Sequence, residues 1–197
     1  MILDIGDWVL RQACTQAAAW ATARPDRPIT VRVNKSALQV ADARLLPTLD
    51  DALAASGLDP NLLCIEITET ALLSQTATAT DNVAGIHERG VGIAIDDFGT
   101  GYASLLYLRR YPINVIKIDR SFVTNITTDE QDQAITTAII ALASALGMTV
   151  TAEGVEYPDQ AACLHDLGCP SAQGWHYSTA LPGVEVTPLL DHIYPHN

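Results

Sequence analysis

Seven polar side chains stand at or near the C-terminal ends of six apolar runs: Asn34, Glu66, Asp96 with Asp97, Lys117, Glu153 and Gln173. A strand buried on both faces has no packing reason to finish on a carboxylate, so six such endings in succession imply convergence on one site. Four carboxylates and one amide oxygen on rigid strand ends are hard donors that suit Mg²⁺ or Mn²⁺, and cations are needed to neutralise that charge density. Two divalent ions about 3.5–4 Å apart stabilise the attacking and leaving oxygens of an in-line displacement at phosphorus, which makes phosphodiester hydrolysis the leading reaction class. Lys117 then orients the nucleophilic water or offsets charge on the phosphoryl oxygens. Adjacent Asp96 and Asp97 are expected to point in different directions, one bridging both ions and the other serving one. Taken singly, each of these residues also reads as a turn or capping residue, and only their coincidence argues for chemistry. Asp119 and Arg120 read equally as a surface pair, and Glu69 as a first-turn acid on a following helix. The five histidines show no ligand spacing and read as structural.

The elements that must position these residues follow from the apolar patterning. Val- and Ile-rich runs start at Ile29, Leu62, Val91, Ile113 and Met148, with a sixth run, SAQGWHY, from Ser171. These read as strands. Helical patterns lie between them over Trp8 to Ala23, Asp42 to Ser56, Ser74 to Arg89, Thr128 to Leu146 and Pro158 to Leu167, with a short one at Ser104 to Arg110. Gly57, Gly90, Gly147 and Gly168 each follow such a pattern where a left-handed cap belongs. Strict alternation predicts an α/β fold with parallel strands, and the lack of GxGxxG after the first strand favours a TIM-like (β/α) barrel over a dinucleotide-binding sheet.

Composition narrows the partners. With 11 Lys+Arg against 23 Asp+Glu, the formal charge of the 197 residues is −12, and the only lysines are Lys35 and Lys117. Such a surface repels DNA, RNA and anionic membranes but leaves room for a pocket that takes one small anion. Cys14, Cys64, Cys163 and Cys169 lack metal-type spacing and read as free thiols of a reducing, cytoplasmic compartment. The first residues lack the basic start of a signal peptide, and the charge-free stretch from Gln133 to Ala152 is too rich in Thr, Ser and Gly to span a membrane.

Six motifs in order resemble the EAL domain of bacterial cyclic-di-GMP phosphodiesterases: VNKSALQ from Val33, EITE from Glu66, DDFGTGYASL from Asp96, KIDRSF from Lys117, AEGVE from Ala152, and QGWHYSTALP ending at Pro182. The resemblance runs from about Ile5 to Pro182. It implies that Asn34, Glu66, Asp96, Asp97 and Glu153 hold two Mg²⁺ or Mn²⁺ ions, that Lys117 positions the hydrolytic water, and that Gln173 is the outer glutamine of the site. It also implies that Asp119 and Arg120 touch substrate, and that Glu69 anchors the loop after Asp97, through which such domains form homodimers. The implied reaction is hydrolysis of cyclic-di-GMP to pGpG. A non-catalytic cyclic-di-GMP receptor or a protein-interaction module is the alternative.

Three departures accompany the resemblance. No Glu-Ala-Leu occurs in these 197 residues, and Thr179-Ala180 stands where the family usually has a basic residue and a proline. A complete (β/α)₈ barrel takes about 250 residues. The expectation is therefore a single EAL-type domain over residues 1–197 that lacks its N-terminal strands, with about six of eight strands present. Such a chain by itself is expected to be weakly active or inactive, and its open edge favours association over a clean monomer.

Overall fold

The computed structural model describes residues 1–69, 71, 76–101 and 105–193, with side chains described for 1–69, 71, 76–101 and 108–190. A long helix, α1 (Ile2–Ala23), leads into β1 (Val31–Lys35), α2 (Ala37–Val40), α3 (Leu45–Ser56), a 3₁₀ turn at Pro60–Leu62 and β2 (Leu63–Thr68). Then follow α4 (Ala77–Glu88), β3 (Gly92–Phe98), α5 (Leu105–Arg110), β4 (Val115–Ile118), α6 (Arg120–Thr124), α7 (Glu130–Ala145), β5 (Thr149–Ala152), α8 (Pro158–Asp166) and α9 (Gly183–Ile193).

All five strands are parallel and pair in sequence order, β1-β2-β3-β4-β5. A doubly wound sheet reverses its strand order at a switch point, whereas an unbroken sequential order is that of a barrel wall. The wall is strongly curled. In a flat sheet β1 and β5 would lie about 19 Å apart, four strand spacings of about 4.8 Å. Arg32 of β1 nevertheless donates from Nη2 to Thr151 Oγ1 of β5 at 3.3 Å.

Side-chain alternation divides the sheet into two faces. Leu63, Ile65, Ile67, Ile93, Ile95, Ile116, Ile118 and Val150 are buried in one cluster with Leu10, Leu49, Val83, Ile86, Ile139 and Leu164 of the helices. Arg32, Glu66, Lys117 and Thr151 occupy the other, concave face. The four glycines expected as left-handed caps have φ of 67° to 79°.

Five of the six expected strands form, and the sixth run is a correction. From Ser171 it makes one isolated parallel bridge, Ala152 to Ala172, rather than a strand. The cause is local. The run follows β5 through hydrogen bonds from Ala152 N to Ser171 O, Gln173 N to Ala152 O, and Val155 N to Gln173 O. At Gly174 the two backbones come so close that a Cβ would lie 2.2 Å from Val155 O, and the chain then turns through 175–177. Sequence patterning also passes over α2, α6 and α9 and starts α1 too late. The first two are short and set by side-chain caps: Ser36 and Gln39 form a reciprocal capping box, and Asp119 accepts from Ser121 N. Residues 74, 75 and 104, expected to begin helices, lie outside the described residues.

Candidate functional site

The site is built at the C-terminal ends of β2 to β5. Lys117 is 3% exposed, and its Nζ lies 2.7 Å from Glu66 Oε2, 2.8 Å from Asp96 Oδ1 and 2.6 Å from Glu153 Oε1. Three strands thus direct carboxylates at an ammonium on the fourth. Burial works against the lysine's charge, but the close carboxylates of Asp96, Glu153 and Glu66 outweigh it and hold the pKa well above the usual lysine range. Burial likewise pushes the Glu153 carboxyl up; Lys117 pulls it back, and the charges of Asp96 and Glu66 add to the rise.

A bulge decides where Asp96 and Asp97 point. The β3–β4 register runs from Ile95 opposite Ile116 to Phe98 opposite Ile118, so β3 carries one extra residue there. Asp97 takes φ 55°, a left-handed conformation that aspartate tolerates better than most residues. Consecutive residues of a regular strand face opposite ways. Here the bulge instead brings oxygens of Asp96, Asp97 and Glu153 within 4.8 Å of one another. The adjacent pair thus keeps one oxygen each within reach of a common point. Burial, followed by the charges of Asp96 and Asp119, raises the Asp97 pKa.

This donor set fits a hard divalent cation. Glu66, Asp96, Asp97 and Glu153 face two cationic side chains, Lys117 and Arg32, whose Nε lies 3.8 Å from Glu66 Oε1. The cluster retains an excess of two negative charges. Buried Asp96 Oδ1 has no partner in hydrogen-bond geometry, although the ammonium is close. Cys64 lies on the same face as Glu66, and burial pushes its thiol up to about 11.

The remaining predicted residues surround this core. Asn34 is exposed at the end of β1, in register with Glu66. Gln173 Nε2 donates to Glu153 Oε1 at 2.6 Å. Buried Glu69 accepts from Gly99 N at 3.4 Å, and a Cβ at position 101 would lie 2.5 Å from its Oε1, so its carboxylate lies against the backbone of the turn after Asp97. Residues 102–104 of that loop, on which the dimer expectation falls, lie outside the described residues. Asp119 is the N-cap of α6, and the Arg120 side chain packs on Gly154. Asp97, Asp119, Arg120, Glu153 and Gln173 all line one open cavity of about 480 Å³.

Sequence reading passed over two residues here. Arg32 lies two positions before Asn34, so period-2 alternation puts it on the same face; that was its signal. Trp175 also lines the cavity and follows Gln173-Gly174 directly.

Comparison with known proteins places this geometry. Residues 1–180 match the family model of the EAL domain. The bifunctional diguanylate cyclase/cyclic di-GMP phosphodiesterase MucR of Pseudomonas aeruginosa is 40% identical over 186 residues, 94% of this chain and 27% of that protein. Among solved structures, the EAL domain of Mycobacterium smegmatis DcpA superposes with a TM-score of 0.88 at 38% identity, covering 95% of this chain and 84% of that one. The manganese/cy-diGMP complex of Klebsiella pneumoniae BlrP1 superposes with a TM-score of 0.80 at 28% identity, covering 90% and 44%. This chain spans between a fifth and a third of the length of the first curated relatives it matches. Among the described residues no helix is long and apolar enough to cross a membrane. The chain belongs to the EAL domain family.

Proposed function

We propose that this chain carries most of the active site of a cytoplasmic cyclic-di-GMP phosphodiesterase that yields pGpG. The observation that carries the reading is the convergence of Glu66, Asp96, Asp97 and Glu153 around Lys117 on the concave face of an EAL-family sheet. Asn34, Glu66, Asp96, Asp97 and Glu153 would hold two Mg²⁺ or Mn²⁺ ions. Bound there, the ions supply Lewis-acid stabilisation of the oxygens entering and leaving phosphorus. Lys117 orients the attacking water, whose oxygen bonds to phosphorus as one ribose oxygen departs with a proton. Gln173 fixes Glu153 by its hydrogen bond, and Asp119 and Arg120 receive the substrate's outer part. Glu69 holds the turn after Asp97 in place, and the loop beyond it forms the homodimer contact. Because these 197 residues contain no Glu-Ala-Leu glutamate, turnover by this chain alone is weak.

The test is incubation of this chain, and of a form extended upstream, with cyclic-di-GMP and Mn²⁺, with pGpG resolved by chromatography. Strong turnover by the extended form and little by the short one is the expected result. Equal rates would overturn the weak-activity expectation, and tight binding without turnover in both forms would favour the receptor alternative.

A further inference from the structure

Trp175 is 72% exposed on the wall of the cavity that Glu153, Gln173 and Arg120 also line. An indole left in water forfeits a large burial gain, and this one cannot turn inward by loosening its backbone. Gly174 is pressed on the Val155 backbone, His176 N donates to Val155 O at 2.9 Å, and Tyr177 N donates to Gly174 O at 3.0 Å. Val155 lies two residues from Glu153, so the turn bearing the indole is tied to the segment that bears the carboxylate. Arg120 lines the same cavity, with the base of its side chain against Gly154. The carboxylate end of the cavity suits cations and, through them, phosphate. The cavity lining also includes an aromatic ring on a tied backbone and an arginine, the types of group that stack planar nucleobases.

We propose that Trp175 is the stacking platform for one purine base of the dinucleotide. The inference rests on the cyclic-di-GMP reading above and adds a base-recognition residue to it. Trp175 then contributes affinity through the base and none through the phosphates.

The test measures cyclic-di-GMP affinity of the full chain by calorimetry for wild type, Trp175→Phe, Trp175→Leu and Trp175→Ala, with ribose 5-phosphate as the base-free probe. Trp175 emission is read from the difference between wild type and Trp175→Phe. The proposal expects Phe to keep most of the affinity. Leu and Ala should lose about tenfold to hundredfold, the range for one base on one aromatic ring. Ribose 5-phosphate should bind all four alike, and cyclic-di-GMP should quench the Trp175 signal. The Phe–Leu comparison keeps the test decisive if the Ala variant folds poorly. Equal affinity of wild type and Leu for cyclic-di-GMP would overturn the platform while leaving the dinucleotide reading intact. Failure of wild type to bind cyclic-di-GMP at all would overturn that reading, and the platform with it. A Trp175 signal that follows protein concentration but not nucleotide would assign the indole to a protein contact and reject the proposal.

Discussion

At the scale of the residue, Lys117 decides whether the carboxylates of the site can stay together without metal. Its ammonium is the shared partner of Glu66, Asp96 and Glu153. Removing one partner of a buried ion cluster leaves uncompensated charge and typically costs about 3–5 kcal/mol. Lys117→Met should lower urea stability by about that amount in metal-free buffer, and Mn²⁺ should recover more stability in the variant than in wild type. An unchanged urea midpoint would show that the carboxylates relax apart. Asp97 gives a second prediction. Its pKa is raised in the fold, so the folded chain holds that proton to higher pH than the unfolded chain. Stability therefore falls as pH rises from the ordinary carboxylate range through the raised value, and the penalty persists at neutrality. Asp97→Asn should stabilise the metal-free chain at pH 7, lose that advantage on acidification toward pH 4, and weaken Mn²⁺ binding. Thermal melts across pH, with and without Mn²⁺, test all three.

At the scale of the element, the sheet was legible and the joints between elements were not. Runs such as LLCIEI and INVIKI announce buried parallel strands by composition alone, and their polar ends announce a common face. The bulge at Asp96-Asp97 had no sequence signal, because it is set by how β3 and β4 register with each other. Arg32 is written in plain alternation, but by itself it signals only a strand residue, since nothing local says that the sheet curls enough for it to reach Thr151 of β5. SAQGWHY reads as a strand by its place in the series of runs, and it does follow β5 for three residues; its end is set by the contact of Gly174 with Val155, a long-range constraint. That contact is testable. Gly174→Ala should push the turn off β5 and cost roughly 1–3 kcal/mol, the range for overpacking, and it should separate Gln173 from Glu153. Gly57→Ala is the control: its φ is also positive, at 67°, but a Cβ there meets nothing, so it should cost only about 1 kcal/mol, the left-handed strain. Equal losses in the two urea curves would mean that the close approach at Gly174 is not what positions the turn.

At the scale of the whole molecule, the curled sheet presents β1 with a partner on one side only among the described residues. Alongside it, α1 exposes Ile5, Trp8 and Val9, with Trp8 62% accessible. Trp20 Nε1 donates to Thr187 Oγ1 at 2.9 Å and ties α1 to α9. Between these helices and Val31 lies an open cleft of about 360 Å³. An unpaired parallel edge next to an apolar cleft is a template for association. The formal charge of −12 opposes association, but salt screens that repulsion beyond about 8 Å at physiological ionic strength. The chain should therefore sediment as a monomer when dilute at low salt and shift to larger species as protein or salt increases. Trp8→Glu combined with Val9→Lys should suppress that shift; Trp8 is 62% exposed but Val9 only 37%, so the melting temperature should fall modestly and not collapse. If the double variant associates as wild type does, the contact lies elsewhere, and the loop after Asp97 becomes the surface to test. The two surfaces predict different couplings: association through the β1 edge is independent of Mn²⁺, whereas association through a loop that starts at Asp97 and rests on Glu69 changes when the metal ligands are occupied.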